Sequence, residues 1–148
     1  DDLYHCTPRA VALPGGGELQ AGGQAHLVAW IGHNRMMDLD RDHLRQLLIR
    51  TDSCPALQPK GMIAVACRTA SYLGRYASAA ERVPLLLTDS LLFAGTHAFE
   101  GAARAFMYGS SLAEIRTAGA NAYAEGQGKP PGQVSSAFVN PTHKNWRW

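Results

Sequence analysis

Charge of one sign is scarce in this chain: Lys plus Arg number 14 and Asp plus Glu 12 among 148 residues, a formal balance of +2, with no block of like charge. A nucleic-acid binder concentrates positive charge on a patch or stripe, so that class is set aside. Long apolar runs are missing too. A bilayer span needs about 20 consecutive apolar residues, and the longest candidates are broken by His33, Cys67, Thr88 and Asp89, which excludes a membrane span. The cysteines number three, an odd count that makes no disulfide framework, so reduced thiols and a cytoplasmic setting are expected. The first residue is Asp1 rather than methionine and no signal-like apolar stretch follows it. The expectation is a trimmed or processed product, with an upstream strand, fragment or partner chain completing the sheet.

Metal and phosphate motifs are absent as well. Asp38-Leu-Asp40-Arg-Asp42-His43 imitates the opening of a calcium loop, but His43 stands where the sixth-position glycine belongs and Ile49 where the closing glutamate belongs. A solvated, acid-rich helix start explains it better. His5, Cys6, Cys54 and His97 have no C-x-x-C or H-x-x-x-H spacing. Gly15 to Gly17 are not followed by the Gly-Lys-Ser/Thr of a phosphate loop. Neither metal nor other cofactor is expected. Trp146 and Trp148, beside Lys144 and Arg147, read as a docked aromatic tail rather than a base-stacking platform.

What is present suffices for one packed core, because 46% of residues are hydrophobic and the length is typical of one domain. We therefore expect a single α/β domain over 1–148. Residues 1–24 hold Pro8, Pro14 and two glycine clusters around a short apolar piece, the pattern of a loop or edge hairpin. Residues 26–31 (HLVAWI), closed by Gly32, predict a strand buried on both faces. An amphipathic helix over 38–50 spaces Leu44, Leu47 and Leu48 on one face. A loop follows, then a second strand over 62–66 (MIAVA), a helix from Thr69 towards Ala80 and a third strand over 83–88 (VPLLLT). Two Ala-rich helices over 96–107 and 111–125 are split at Gly109, and Ser111-Leu-Ala-Glu114 reads as a capping box. Residues 130–148 read as an extended tail on the surface.

Strands alternating with helices imply parallel strands with crossover connections, and such sheets bind ligands at the carboxyl ends of their strands. Those ends carry Gly32-His33-Asn34, Cys67-Arg68 and Asp89-Ser90. Adjacent strands lie about 4.8 Å apart, so an imidazole on one and a thiol on the next come within reach of a proton transfer. His33 and Cys67 are that pair. A helix opens directly after Cys67, and its first amides attract negative charge on sulfur.

HLVAWIGHN followed by GMIAVAC resembles the caspase-like cysteine peptidases, the group of caspases, metacaspases, gingipains, legumains and separases, in which a strand ending in His precedes a strand ending in Cys. The resemblance spans about residues 24–90. It implies a three-layer sandwich, a mostly parallel sheet flanked by helices, and hydrolysis of peptide bonds in a protein or peptide substrate. His33 would be general base and acid, Cys67 the nucleophile, and the amides of Asn34 and Cys67 the oxyanion donors. The family's glycine after the histidine is Asn34 here, and Val65 occupies the position that helps shape the primary pocket in caspases and metacaspases. Arg68 and Asp89 are further pocket candidates, Arg68 for the thiolate or a carboxylate and Asp89 for a basic side chain. Self-cleavage would account for the start at Asp1.

Two competing classes follow from the same residues. One is a catalytically inactive caspase-like or flavodoxin-like interaction module in which Cys67 only packs, since fold does not imply function. The other is a cysteine hydrolase or acyltransferase acting on a small molecule.

Overall fold

The computed structural model describes residues 7–22, 25–34, 37, 60–73, 82–93 and 95–140. A hairpin comes first: β1 (Pro8–Ala12) pairs antiparallel with β2 (Glu18–Gly22), its return made by Gly16 and Gly17 at φ +88° and +87°. Glycine enters that region without the steric penalty of a Cβ. Three parallel strands follow, β3 (Leu27–Ile31), β4 (Lys60–Val65) and β5 (Arg82–Thr88), and β6 (Phe138–Val139) adds an antiparallel fourth, in the order β3-β4-β5-β6. The described α-helices are α1 (Thr69–Leu73), α2 (His97–Met107) and α3 (Leu112–Gly126), and a 3-10 turn runs over Ser135–Ala137. The architecture is α/β with a mostly parallel sheet.

Ile63, Ala64 and Val65 of β4 and Leu85, Leu86 and Leu87 of β5 are apolar and fully buried because both faces of the sheet are covered there. Side chains alternate between faces. Ile63 and Val65 pack with Ala98, Ala102, Ile115, Ala120 and Tyr123 of α2 and α3, whereas Ala64 packs with Leu87, Met62 and Ala70 of α1. On β5 the alternation breaks. Met62 pairs with Pro84 but Ile63 pairs with Leu86, so Leu85 is one residue extra, and Leu85 and Leu86 both join the α2/α3 cluster. A bulge of this kind is what lets two consecutive leucines share a face. Each fully buried Leu or Ile contributes about 1.5–3 kcal/mol over leaving it in water, so β4 and β5 anchor the sheet.

The helix ends follow local rules. Ser111 caps α3 by accepting from the Glu114 amide at 3.4 Å, while the Glu114 carboxylate accepts from the Ser111 amide at 2.7 Å. At the end of α2, Gly109 at φ +72° donates to Phe106 and Ser110 donates to Ala105; at the end of α3, Gly128 at φ +64° donates to Glu125 and Lys129 to Ala124. Both are Schellman closures, which use a left-handed residue to satisfy the last carbonyls.

Two expectations need correction. β3 is not buried on both faces: Ala29 and Trp30 are exposed, because among the described residues β3 stands at the end of the sheet. Nor is the segment after residue 130 only a surface tail. Phe138 is fully buried, stacks edge-on against Tyr123 at 5.3 Å, and lies opposite Thr88 in the sheet. Arg116 of α3 secures it, donating to the carbonyls of Phe138 at 2.5 Å and Ser135 at 2.8 Å. The helix expected over 38–50, the second half of the one expected from Thr69 to Ala80, and Trp146 and Trp148 lie outside the described residues.

Candidate active site

The last paired residues of β3 and β4 are Ile31 and Val65, and the Gly32 amide adds a bond to the Val65 carbonyl at 3.2 Å. His33 and Cys67 each stand two residues beyond that pair. Gly32, at φ +145°, starts the turn that carries the chain off β3. His33 is exposed, and its carbonyl accepts from the Trp30 indole at 3.2 Å. Cys67 is half-buried, its thiol 3.7 Å from the Leu92 carbonyl in a weak hydrogen bond.

Asn34 is almost wholly buried, at 1% exposure, and its side-chain amide donates to the Cys67 carbonyl at 2.6 Å. The bond ties the loop that carries the histidine to the turn that carries the cysteine. Its side chain is thus engaged within the protein, which leaves the backbone amide as the group to which the oxyanion expectation applies. Arg68 follows in a left-handed conformation, φ +52°, uncommon for a residue with a Cβ. Its amide donates to the Ser90 carbonyl at 3.1 Å and its own carbonyl accepts from Ser71 at 3.1 Å, so bonds on both sides hold the turn. Such local strain persists where surrounding structure over-determines it.

Beneath the turn lies a pair of fully buried hydroxyls. Thr69 donates to the Ala64 carbonyl at 2.8 Å, lies 3.0 Å from the Thr88 hydroxyl and accepts from the Thr88 amide at 2.9 Å; Thr88 in turn bonds the Ala66 carbonyl. Buried polar groups are costly unless satisfied, and here each satisfies the other while fixing the backbone on either side of Cys67. Asp89 is exposed at the end of β5, with its amide bonded to the Ala137 carbonyl at 2.9 Å.

The bonds Asn34 to Cys67, Arg68 to Ser90 and Asp89 to Ala137 therefore knit four separate chain segments into one rim. His33, Asn34, Cys67, Arg68 and Asp89 all stand on it. Val65 does not: the last residue of β4, it is fully buried in the α2/α3 cluster, and its side chain lines no open surface. α1 opens at Thr69, and Arg68 with its left-handed turn stands between it and Cys67. Sequence reasoning missed Thr69 and Thr88, because a threonine at the end of an apolar run carries no mark of being buried opposite another.

A groove of about 460 Å³ between α2 and α3, lined by His97, Glu100, Arg104, Tyr108 and Glu125 among others, shares no residue with this rim. Among the described residues no group of three His, Cys, Asp or Glu side chains is placed to hold a metal ion, and no helix is long and apolar enough to cross a membrane. Set against models of protein families, curated proteins and solved structures, the chain matches none.

Proposed function

We propose that the chain is a cysteine endopeptidase of caspase-like fold in which Cys67 is the nucleophile and His33 the general base and acid. The observation that carries this reading is the common register of the two residues beyond the Ile31 and Val65 pair, with Asn34 bonded from one loop to the other. Strands in such a ladder lie about 4.8 Å apart, a separation suited to proton transfer between their side chains. A half-buried thiol on a turn held from both sides suits a nucleophile that must meet a carbonyl carbon at a set angle.

The His33 imidazole takes the thiol proton and the sulfur attacks the peptide carbonyl carbon, placing negative charge on the carbonyl oxygen near the amides of Asn34 and Cys67. The carbon–nitrogen bond breaks, and the imidazolium proton leaves with the amine. Water, deprotonated by the same imidazole, then attacks the thioester; the sulfur departs, recovers the proton and frees the carboxylic acid. No metal or redox partner is required by this balance.

A peptidyl acyloxymethyl ketone tests the reading by alkylating an active thiol. Intact-mass analysis should show one adduct on Cys67, none in Cys67→Ala, and labelling slowed on the order of a hundredfold in His33→Ala, the scale of general-base catalysis. Equal alkylation of Cys6 and Cys54, unaffected by His33→Ala, would leave a non-catalytic module whose sheet edge serves a partner. Labelling of Cys67 without cleavage of any peptide, but with turnover of small thioesters, would move the protein to the acyltransferases.

A further inference from the structure

From the segment that follows β5 we infer the substrate's chemistry, resting on the peptidase reading: Leu91 and Phe93 form an apolar wall beside Cys67 that receives a large hydrophobic side chain of the peptide. Both are solvent-facing, Leu91 at 67% and Phe93 at 80% exposure, while Leu92 between them turns inward against the core. Leu91 and Phe93 thus flank an inward-packed residue, and both are open to solvent. Leu92 is also the residue whose carbonyl lies 3.7 Å from the Cys67 sulfur. With consecutive α-carbons 3.8 Å apart, each exposed side chain starts one residue away from the atom that touches the thiol.

The backbone of this run is held at both ends. Ser90 accepts from Arg68 at 3.1 Å, and the Phe93 amide donates to the Tyr123 hydroxyl at 3.2 Å. Tyr123 is itself buried and stacked on Phe138, so the anchor reaches the core. Large apolar side chains displayed on a fixed backbone pay a standing hydration cost that a bound apolar group removes. Asp89 stands just before the run, and if it set the preference the favoured side chain would be basic.

The test uses fluorescein-labelled heptapeptides of alanine and glycine with phenylalanine, leucine, arginine, aspartate or glycine at the centre, bound to full-length Cys67→Ala and followed by anisotropy. The phenylalanine and leucine peptides should bind about tenfold more tightly than the glycine peptide, the scale at which an apolar pocket discriminates. In Leu91→Ser with Phe93→Ser that ratio should fall towards unity. A preference for the arginine peptide would overturn the inference in favour of Asp89, and an equal response to all five would overturn it outright. Ketone labelling of Cys67 in the unsubstituted protein is read in parallel. Labelling without apolar preference sinks the wall alone; apolar binding without labelling sinks the peptidase reading and leaves a peptide-binding edge.

Discussion

Asn34 and Cys67, 33 residues apart in the chain, are joined by a hydrogen bond of 2.6 Å from a buried side-chain amide to a backbone carbonyl. A side-chain bond of this length removes freedom from two loops at once, since neither turn can rotate without breaking it. The pairing also explains why a polar residue is tolerated here at 1% exposure: its partner is the carbonyl of a turn residue, a group beyond the ladder that would otherwise need water.

Replacing Asn34 should therefore do more than remove a surface contact. Asn34→Ala leaves the Cys67 carbonyl without its donor and is expected to cost about 1–3 kcal/mol in urea denaturation. Asn34→Asp sets a carboxylate against a carbonyl oxygen and should cost more. Both should slow ketone labelling of Cys67 even at temperatures where the fold is intact by circular dichroism. Unchanged stability in both variants would show that the bond holds nothing.

The Thr69 and Thr88 pair makes a second prediction. Thr69→Val removes the donor to Ala64 and the acceptor of the Thr88 amide, and Thr88→Val removes the bond to Ala66. Each single variant should lose roughly 1–3 kcal/mol, because it strands a buried partner. The double variant should lose less than the sum by about 0.5–3 kcal/mol, the range for residues in one network. Strict additivity would mean that the two hydroxyls do not act together.

How much of this was legible beforehand follows element by element. Residues 26–31 and 62–66 announced strands because β-branched and apolar residues run there without turn formers, and the register that leaves His33 and Cys67 each two residues beyond the Ile31 and Val65 pair follows from two such strands being parallel neighbours. Helix ends were legible at Ser111 and Gly109, where capping chemistry is local. What escaped was non-local. Phe138 and Val139 are too few to show any periodicity, and their place in the sheet is decided by Tyr123 and Arg116, many residues away. Exposure of Trp30 depends on which strand ends the sheet, and the burial of Val65 depends on α2 and α3 covering one face. The bulge at Leu85 turns on register, which no single strand encodes.

The Ser111 and Glu114 box gives a pH prediction. Hydrogen bonds from the Ser111 side chain and then its backbone hold the Glu114 carboxyl below the ordinary glutamate range. A carboxyl whose folded value is depressed contributes stability that is complete above its unfolded value and is lost as pH falls through the folded one. Glu114→Gln keeps an acceptor for the Ser111 amide and removes the titration, so the difference in thermal midpoint between wild type and variant should shrink on acidification from neutral pH. Carbon-detected NMR titration of the Glu114 carboxyl should give a midpoint below that of a model peptide. Ser111→Ala should lose about 1 kcal/mol, as N-caps do, and should return that midpoint upward. A midpoint at the peptide value in the wild type would contradict the box.

Gly101 makes the last prediction, through the approach of α2 to α3. A Cβ built there would lie 2.5 Å from the Ala118 carbonyl oxygen and 2.8 Å from the Ala122 Cβ. The first of these neighbours is helix backbone, which cannot swing aside as a flexible side chain would. Intrinsic propensity alone says that Gly101→Ala should stabilise an exposed helix by about 1 kcal/mol. Overpacking says the reverse, typically costing 1–3 kcal/mol, and the short distance to backbone makes that term the larger. Gly101→Ala should lower the urea midpoint, whereas an alanine at Ser110, outside both helices, should shift it little. Pairing Gly101→Ala with Ala122→Gly relieves only the Cβ contact and leaves the carbonyl clash, so it should recover part of the loss. Full recovery would place the constraint on the Ala122 methyl instead, and stabilisation by Gly101→Ala would mean that the two helices stand farther apart in solution than 2.5 Å to the oxygen allows.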